Sequence, residues 1–523
     1  MADQLDSAQT IDANGKPYNR LVMVLTLLVG TFGNFLTSTI LTTAFPTLMR
    51  DFNISANTVQ WLTTGFMLVM GITIPIAAFL LQRFSTKRLY LTAMGTFFTG
   101  TLICFFAPTF AVLLVGRLVQ ATAVGISAPV FQTIMAAIFP PAKRGTAMGT
   151  AGLVIGLAPA IGPTLSGWIL QDHTWRALFL VILPITGTVF IVGQFTLRKV
   201  LKTHFVKVDW LSVLLSTTGF GGMLFAFSSV GDNSWGAPIV YGPLIAGLII
   251  AIFFAVRQLR ISNPILQLKV FKSPAFTLSA ILVAIVNMSM IGFEMILPLY
   301  IQTVRGDSAF QSGLILLPGA VMMGIMSPFT GRIFDQLGGK RLAITGMFLL
   351  LIGSMFFLTI TDKTPILFIT IMYAIRMFGV TMVNMPVTTT GINALPLRLL
   401  GDGTSVNNTM RQVVSSMGTA VMISIMSNVT ASNLPSASLK VAEPVKYGLQ
   451  ALNANIFGYR MAFAAATLFA LIGFGLAFFL KDRPYHVKED EAAWLSWFLL
   501  FSCLSSQGLL FLPQLGRDAT LVS

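Results

Sequence analysis

The stretch MSMIGFEMILPLY, Met288 to Tyr300, holds a single ionisable side chain, Glu294, among uncharged and mostly apolar neighbours. A carboxylate in hydrocarbon must bind a proton or find a partner, and intramembrane acids mark proton and ion pathways by default. Glu294 is therefore a candidate proton-exchange group. A permanently protonated Glu bonded to a neighbouring helix, or one paired statically with an arginine, is the structural alternative. Three arginines, Arg117, Arg376 and Arg411, also fall within uncharged windows. Each costs about 2.5 to 3.5 kcal/mol to insert and so implies a facing cavity or a partner, unless it snorkels to the surface. Arg117 sits in LLVGRLVQATAVG, with Gln120 one helical turn on, and is a second candidate for proton coupling. Glu294, Arg376, Arg411, Thr37, Thr42 and Gln120 are the candidates for lining a substrate cavity.

Other chemistries find no residues. Cys104 and Cys503 are far apart, and His173, His204 and His486 never group with carboxylates at ligand spacing, so no metal is expected. No GxxxxGK[ST] loop is present to cradle ATP phosphates. No cofactor is expected and the chain reads as a non-enzyme, with an ion gradient as the remaining energy source.

These residues must be held by helices in a bilayer. Hydrophobic residues make up 55% of the 523 positions and charged residues 10%, against about 25% charged in a soluble domain. The uncharged windows are apolar on all sides, which excludes a barrel, and each is long enough to cross about 30 Å of hydrocarbon. The windows are Leu21 to Met49, Asn53 to Gln82, two spans within Leu89 to Ala142 dividing at FFAPTF, Gly145 to Gln171, Ala177 to Leu197, Trp210 to Gly231 and Asn233 to Val256. The second half adds Ser273 to Val304, Ala309 to Gly331, Leu342 to Thr361, Thr364 to Leu397, Gly403 to Leu439 and Met461 to Leu480, fourteen in all. The polar start does not read as a signal peptide. With both termini cytoplasmic, twenty-three basic residues fall inside and seven outside, so the net charge of +15 is a topology signal and not a nucleic-acid footprint. Residues 492–516 are uncharged and read as a surface-lying tail, with a further span or a segment foreign to the fold as alternatives.

The chain also repeats. Pro46 and Pro298 are 252 apart, Pro129 and Pro386 257, Gly145 and Gly403 258, Arg117 and Arg376 259. Six spans thus repeat with six, and two are inserted between them. The segments are 1–20 (cytoplasmic start), 21–200 (first bundle), 201–256 (linker and inserted spans), 257–272 (cytoplasmic loop), 273–480 (second bundle) and 481–523 (tail). Two such bundles around a midplane cavity are the plan of a secondary transporter. By the repeat interval Glu294 corresponds to Thr42, five residues after Thr37.

GRIFDQLGGKR, Gly331 to Arg341, places Asp335 among basic residues and has the makings of a latch at the inner face, from Arg83, Gly331, Asp335, Gly338, Lys340 and Arg341. The matching AFLLQRFSTKR carries Gln82 in place of the acid, and the latch there is expected to be weaker. GTAGLVIGLAPAIGPTLSG packs Gly149, Gly152, Gly156, Gly162, Pro163 and Gly167 into one span, small residues that let helices approach closely.

Together with TWRALFLVILP, VDWLSVLL and NNTMRQVVSSMG, these stretches resemble the major facilitator superfamily, and within it the fourteen-span drug:proton antiporter branch of the EmrB/QacA type. The resemblance implies an all-α membrane protein with the major facilitator fold, two six-helix bundles and two extra helices between them. It also implies an antiporter motif at Gly149, Gly162, Pro163 and Gly167, and proton-driven multidrug efflux by alternating access. LTSTILTTAFP departs from the pattern, with Thr37 where many relatives carry an acid. The expected protein is a monomeric, multi-pass exporter in the plasma or inner membrane, handling a small hydrophobic or amphipathic substrate and protons within the lipid bilayer. The alternatives are an exporter of an amphipathic anion or lipid, favoured by the excess of arginines, and a membrane sensor or scaffold that transports nothing.

Overall fold

The computed structural model describes residues 17–201, 209–230, 233–261 and 264–481. The 492–516 stretch, Cys503, His204 and His486 lie outside these residues. The helices are α1 (Arg20–Ile40), α2 (Phe45–Phe52), α3 (Ala56–Arg83), α4 (Thr86–Phe105), α5 (Phe110–Ile138), α6 (Arg144–Asp172), α7 (Arg176–Thr196) and α8 (Trp210–Ser229). They continue with α9 (Pro238–Arg260), α10 (Pro274–Thr303), α11 (Ala309–Leu337), α12 (Gly339–Met355), α13 (Ile366–Asn393), α14 (Leu400–Asn433), α15 (Ala437–Ala442) and α16 (Pro444–Ala477). Local chemistry sets many starts. The side chains of Asn19, Ser55, Ser85, Thr109, Asp209, Ser273 and Ser308 each accept a backbone N–H of the first turn that no intrahelical carbonyl could take.

Two differences from the sequence expectation have physical causes. The first window is one span on hydropathy, yet α1 stops at Ile40, a 3-10 turn covers Thr42–Ala44, and α2 starts afresh. Pro46 sits in the first turn of α2, where its missing N–H costs nothing, and Asn53 in the left-handed region (φ 51°) closes that helix. Among the described residues, twelve helices are long and apolar enough to cross a membrane, against fourteen expected. The helix α4 falls outside this set because its Thr-Lys-Arg start dilutes its hydropathy.

Helices α1 and α3–α7 pack on one another, as do α10–α14 and α16, and α8 pairs with α9. Glycines set the closest approaches. A Cβ on Gly100 would lie 2.9 Å from the Gly116 carbonyl oxygen between α4 and α5, and one on Gly346 2.7 Å from that of Gly379 between α12 and α13. Without a side chain the backbones can touch. Each group has its own apolar interior, with Leu27, Tyr90, Met94, Phe131 and Met135 in the first and Leu297, Phe293, Met347, Tyr373 and Phe463 in the second.

Candidate functional site

One end of the helices carries Arg83, Lys87, Arg88, Lys143, Arg144, Lys269, Lys272, Arg332, Lys340, Arg341 and Arg398, and is called the basic face below. Here the two groups of helices are joined. Asp335, near the end of α11, accepts the backbone N–H groups of Gly145 and Thr146 at 2.7 Å each, and the Thr146 hydroxyl as well. Its carboxylate thus caps the first turn of α6, where unpaired N–H groups and the helix dipole favour an anion. The joint continues through Arg144 Nη1 to Asn393 Oδ1 at 2.9 Å, Asn408 Nδ2 to Gln132 Oε1 at 2.8 Å, and Thr133 with Thr404 at 2.6 Å. Between α6 and α11 it is backbone on backbone, since a Cβ on Gly331 would overlap the Gly145 carbonyl oxygen and one on Gly149 that of Ser327.

The expectation that the Gln82 latch lacks an acid meets a finding. Gln82 Nε2 donates to Asp402 Oδ1 at 3.0 Å. Asp402 precedes Gly403 as Arg144 precedes Gly145, so the charge that leaves the loop reappears on the helix it faces. That charge reversal at matched positions was the available signal. Arg341 is exposed and Gly338, at φ 81°, turns the chain from α11 into α12. Arg83 lies 5.7 Å from the Phe84 ring, and Lys340 is engaged with its surroundings.

Towards the opposite end, Glu294 lies nine residues before the end of α10, about 13 Å along the axis. The Tyr373 hydroxyl on α13 is placed to donate to its carboxyl, and the charge of Arg376, one turn further along α13, acts on both. Glu294 makes no ion pair among the described residues and its side chain is partly exposed. Arg376 is fully buried over the Phe293 ring, 3.9 Å from its centroid. Its Nε donates to Ser354 Oγ at 3.1 Å, its Nη2 to the Ser289 carbonyl and hydroxyl at 2.7 and 2.8 Å, and its Nη1 has no partner. Tyr373 was absent from the sequence reading, which had no way to bring α13 against α10.

Arg117 answers Arg376 in the first group. It is fully buried 4.2 Å from the Phe66 ring centroid, with Nε to the Leu62 carbonyl at 3.3 Å and Nη1 to the Thr37 carbonyl at 3.2 Å and Gln120 Oε1 at 2.9 Å. Thr37 and Ser289, 252 apart, offer their carbonyls to the two arginines in the same way. Gln120 passes the network on to Thr101 at 2.8 Å, while the Thr37 hydroxyl bonds back to Gly33. Among the described residues no acid stands beside Arg117 as Glu294 stands beside Arg376; Thr42, its counterpart by interval, opens the 3-10 turn after α1. Arg411 on α14 is partly exposed and has no hydrogen-bond or ion-pair partner among the described residues. Of the motif in α6, Gly162 packs against Leu36 and Thr39 of α1, Gly149 lies in the joint, Gly167 faces open space, and Pro163 falls within the helix. The described residues hold no group of His, Cys, Asp and Glu able to bind a metal ion.

Two groups of long apolar helices, built on matching arginines and meeting at one face, define a multi-pass membrane transporter for small molecules. The chain belongs to the Major Facilitator Superfamily, whose family model matches residues 27–419. It is 46% identical to the MFS-type transporter YcnB of Bacillus subtilis, over 91% of this chain and 98% of that one. Lincomycin resistance protein LmrB of Listeria innocua is 42% identical over 86% and 96% of the two chains. LmrB of Bacillus subtilis is 40% identical over 90% and 96%. Among solved structures, the human organic anion transporter MFSD10 superposes with a TM-score of 0.60 over 87% of this chain and 99% of its own, at 14% identity, a likeness of fold.

Proposed function

We propose that this chain is a proton-coupled exporter of lincomycin-like amphipathic drugs, working by alternating access. In this reading α4 and α6 also span, giving fourteen spans, and the basic face is cytoplasmic because positive loops stay inside. The joint at that face then closes the cell side, and the conformation is open outwards. Glu294 carries the reading. It is the acid furthest from a helix end among the described residues, it lacks a cation within ion-pairing distance, and it is partly exposed. Such a carboxyl takes up a proton from outside and surrenders it inside when substrate binds, with Tyr373 orienting it and Arg376 favouring release. One charge crossing 100 mV is worth about 2.3 kcal/mol, enough for roughly fiftyfold accumulation.

The test is uptake of labelled lincomycin into everted vesicles under an imposed pH gradient, with substrate-induced proton release from purified protein. Glu294→Gln mimics the protonated state, so both signals are expected to vanish while the protein stays inserted. Equal proton release by wild type and variant would remove Glu294 from the coupling. A second reading, export of an amphipathic anion, is favoured by Arg411, which has no hydrogen-bond or ion-pair partner among the described residues. It expects Arg411→Gln to abolish export of a labelled organic anion and to spare lincomycin.

A further inference from the structure

The motif VDWLSVLL and the inserted helices α8 and α9 have no part in the coupling site. Asp209 caps α8, its Oδ1 accepting the Ser212 N–H at 3.4 Å and its Oδ2 the Ser212 hydroxyl at 2.6 Å. Arg257 in the last turn of α9 clamps it in two-pronged fashion, Nε to Oδ2 at 3.0 Å and Nη2 to Oδ1 at 3.1 Å. Ser212 Oγ also accepts Gln258 Nε2 at 2.6 Å, and Gln258, fully buried, takes the Leu266 N–H on its Oε1 at 3.2 Å. The next peptide continues the run, because the Gln267 N–H donates to Asp402 Oδ1 at 3.0 Å, the same oxygen that receives Gln82. An unbroken series of bonds therefore leads from the base of α8 and α9 to the joint between α3 and α14.

A second set of contacts binds the same pair to the same two helices. Leu224 of α8 and Gln412 of α14 converge on Gly71 of α3, where a Cβ would meet them at 2.5 and 2.9 Å. Phe225 of α8 stacks on Trp61 of α3 at 6.3 Å, and Trp235, before α9, donates from Nε1 to Ser424 Oγ on α14 at 2.6 Å.

We propose that α8 and α9 are the anchor of the joint at the basic face, with Gln258 and Asp402 as the positioning residues of its closed state. Asp402 is 3% exposed, and its carboxylate accepts from two neutral donors, Gln82 Nε2 and the Gln267 N–H, with no ion pair among the described residues. A buried carboxylate held so lightly gains water when the joint parts, so the closed state depends on donors already fixed in place. Gln82 is fixed by α3. The Gln267 N–H is held through the neighbouring Leu266 peptide and Gln258, in a turn that the buried Leu266 side chain and the Val270 N–H on the Gln267 carbonyl also hold. This inference rests on membership in a transporter family and is independent of what is carried.

The test is hydrogen exchange of the purified full chain in lipid nanodiscs, with export measured at matched insertion. Gln258→Leu removes both Gln258 bonds without touching α14. It is expected to speed exchange of residues 400–409 by about fivefold, the value of one ordinary hydrogen bond, and to slow export by a similar factor. Ser212→Ala, which removes the acceptor of Gln258 together with the hydroxyl bonds to Asp209 and Arg257, is expected to act in the same direction and serves if the leucine variant does not fold. Asp402→Asn is expected to loosen 400–409 and leave 209–215 as in wild type. Faster exchange confined to 209–215 and 258–267, with 400–409 and export unchanged, would overturn the proposal and leave α8 and α9 as passive packing.

Discussion

A guanidinium carries five N–H donors, and in each half of this transporter one nitrogen stays unpartnered, Nη2 in Arg117 and Nη1 in Arg376. Both lie over an aromatic face, a contact worth about 2 kcal/mol when desolvated. Lysine keeps the charge but not the planar fork, so Arg117→Lys and Arg376→Lys are each expected to lower stability by about 1 to 3 kcal/mol, read by thermal unfolding in detergent. Their functional effects should part. Arg376 acts on Glu294 and Arg117 has no acid beside it, so only Arg376→Lys is expected to displace the pH profile of export. Equal displacement by both would mean that the arginines act through packing alone. Asp209 is the titrating group of the inserted pair. Burial pushes its carboxyl up, but the Ser212 hydroxyl, the Arg257 guanidinium and the Ser212 N–H together hold it below the usual carboxylate range. A depressed acid stabilises above its unfolded value of about 3.9 and loses that stabilisation as pH falls through the lower folded value. Unfolding temperature is therefore expected to fall more steeply below about pH 4 in wild type than in Asp209→Asn.

At the scale of the element, glycines of α6 and α11 divide by what they face. A Cβ on Gly331 meets carbonyl and backbone of Gly145 and cannot be relieved by a rotamer change, whereas Gly167 faces open space in mid-helix. Gly331→Ala is expected to hold the basic face apart, raising hydrogen exchange of residues 144–149 and cutting export at least tenfold. Gly167→Ala is expected to be silent in export and to raise stability by about 0.5 to 1 kcal/mol, the entropy a helical glycine forfeits. A stable, active Gly331→Ala protein would show that this approach is not needed in the working cycle. The α2 break was legible in retrospect from Pro46, but hydropathy cannot see a missing N–H inside an apolar window. The long α16 was not legible from its window either, because its first turns are polar and exposed, with Val445 79% and Leu449 60% accessible.

Over the whole molecule, what the sequence made legible followed from periodic or repeated signals. The uncharged windows located the long helices, and the spacing of Arg117 and Arg376 marked two matched positions in the repeat. What it hid were pairings across great separations. Gln82 and Asp402 are 320 residues apart and Gln267 and Asp402 135 apart, and no pattern along one strand of text ties them. Tyr373 beside Glu294 needed the crossing of α10 and α13, which side-chain packing sets. The two joints are chemically unlike, with Asp335 offered by the last turn of α11 to the first turn of α6 and Asp402 offered by the first turn of α14 to the last turn of α3. Asp335→Asn and Asp402→Asn are accordingly expected to impair export to a similar degree, and a silent Asp402→Asn at matched expression would restore the one-sided latch. The bare backbone track along Gly149 and Gly331 carries a consequence of its own. Because no side chain there has to change rotamer, the two halves can roll apart with little internal friction. By the same token the notch has nothing to push an intruder out, so a small molecule wedged between Gly149 and Ser327 would act as a doorstop, stalling the transporter without ever competing for its cargo.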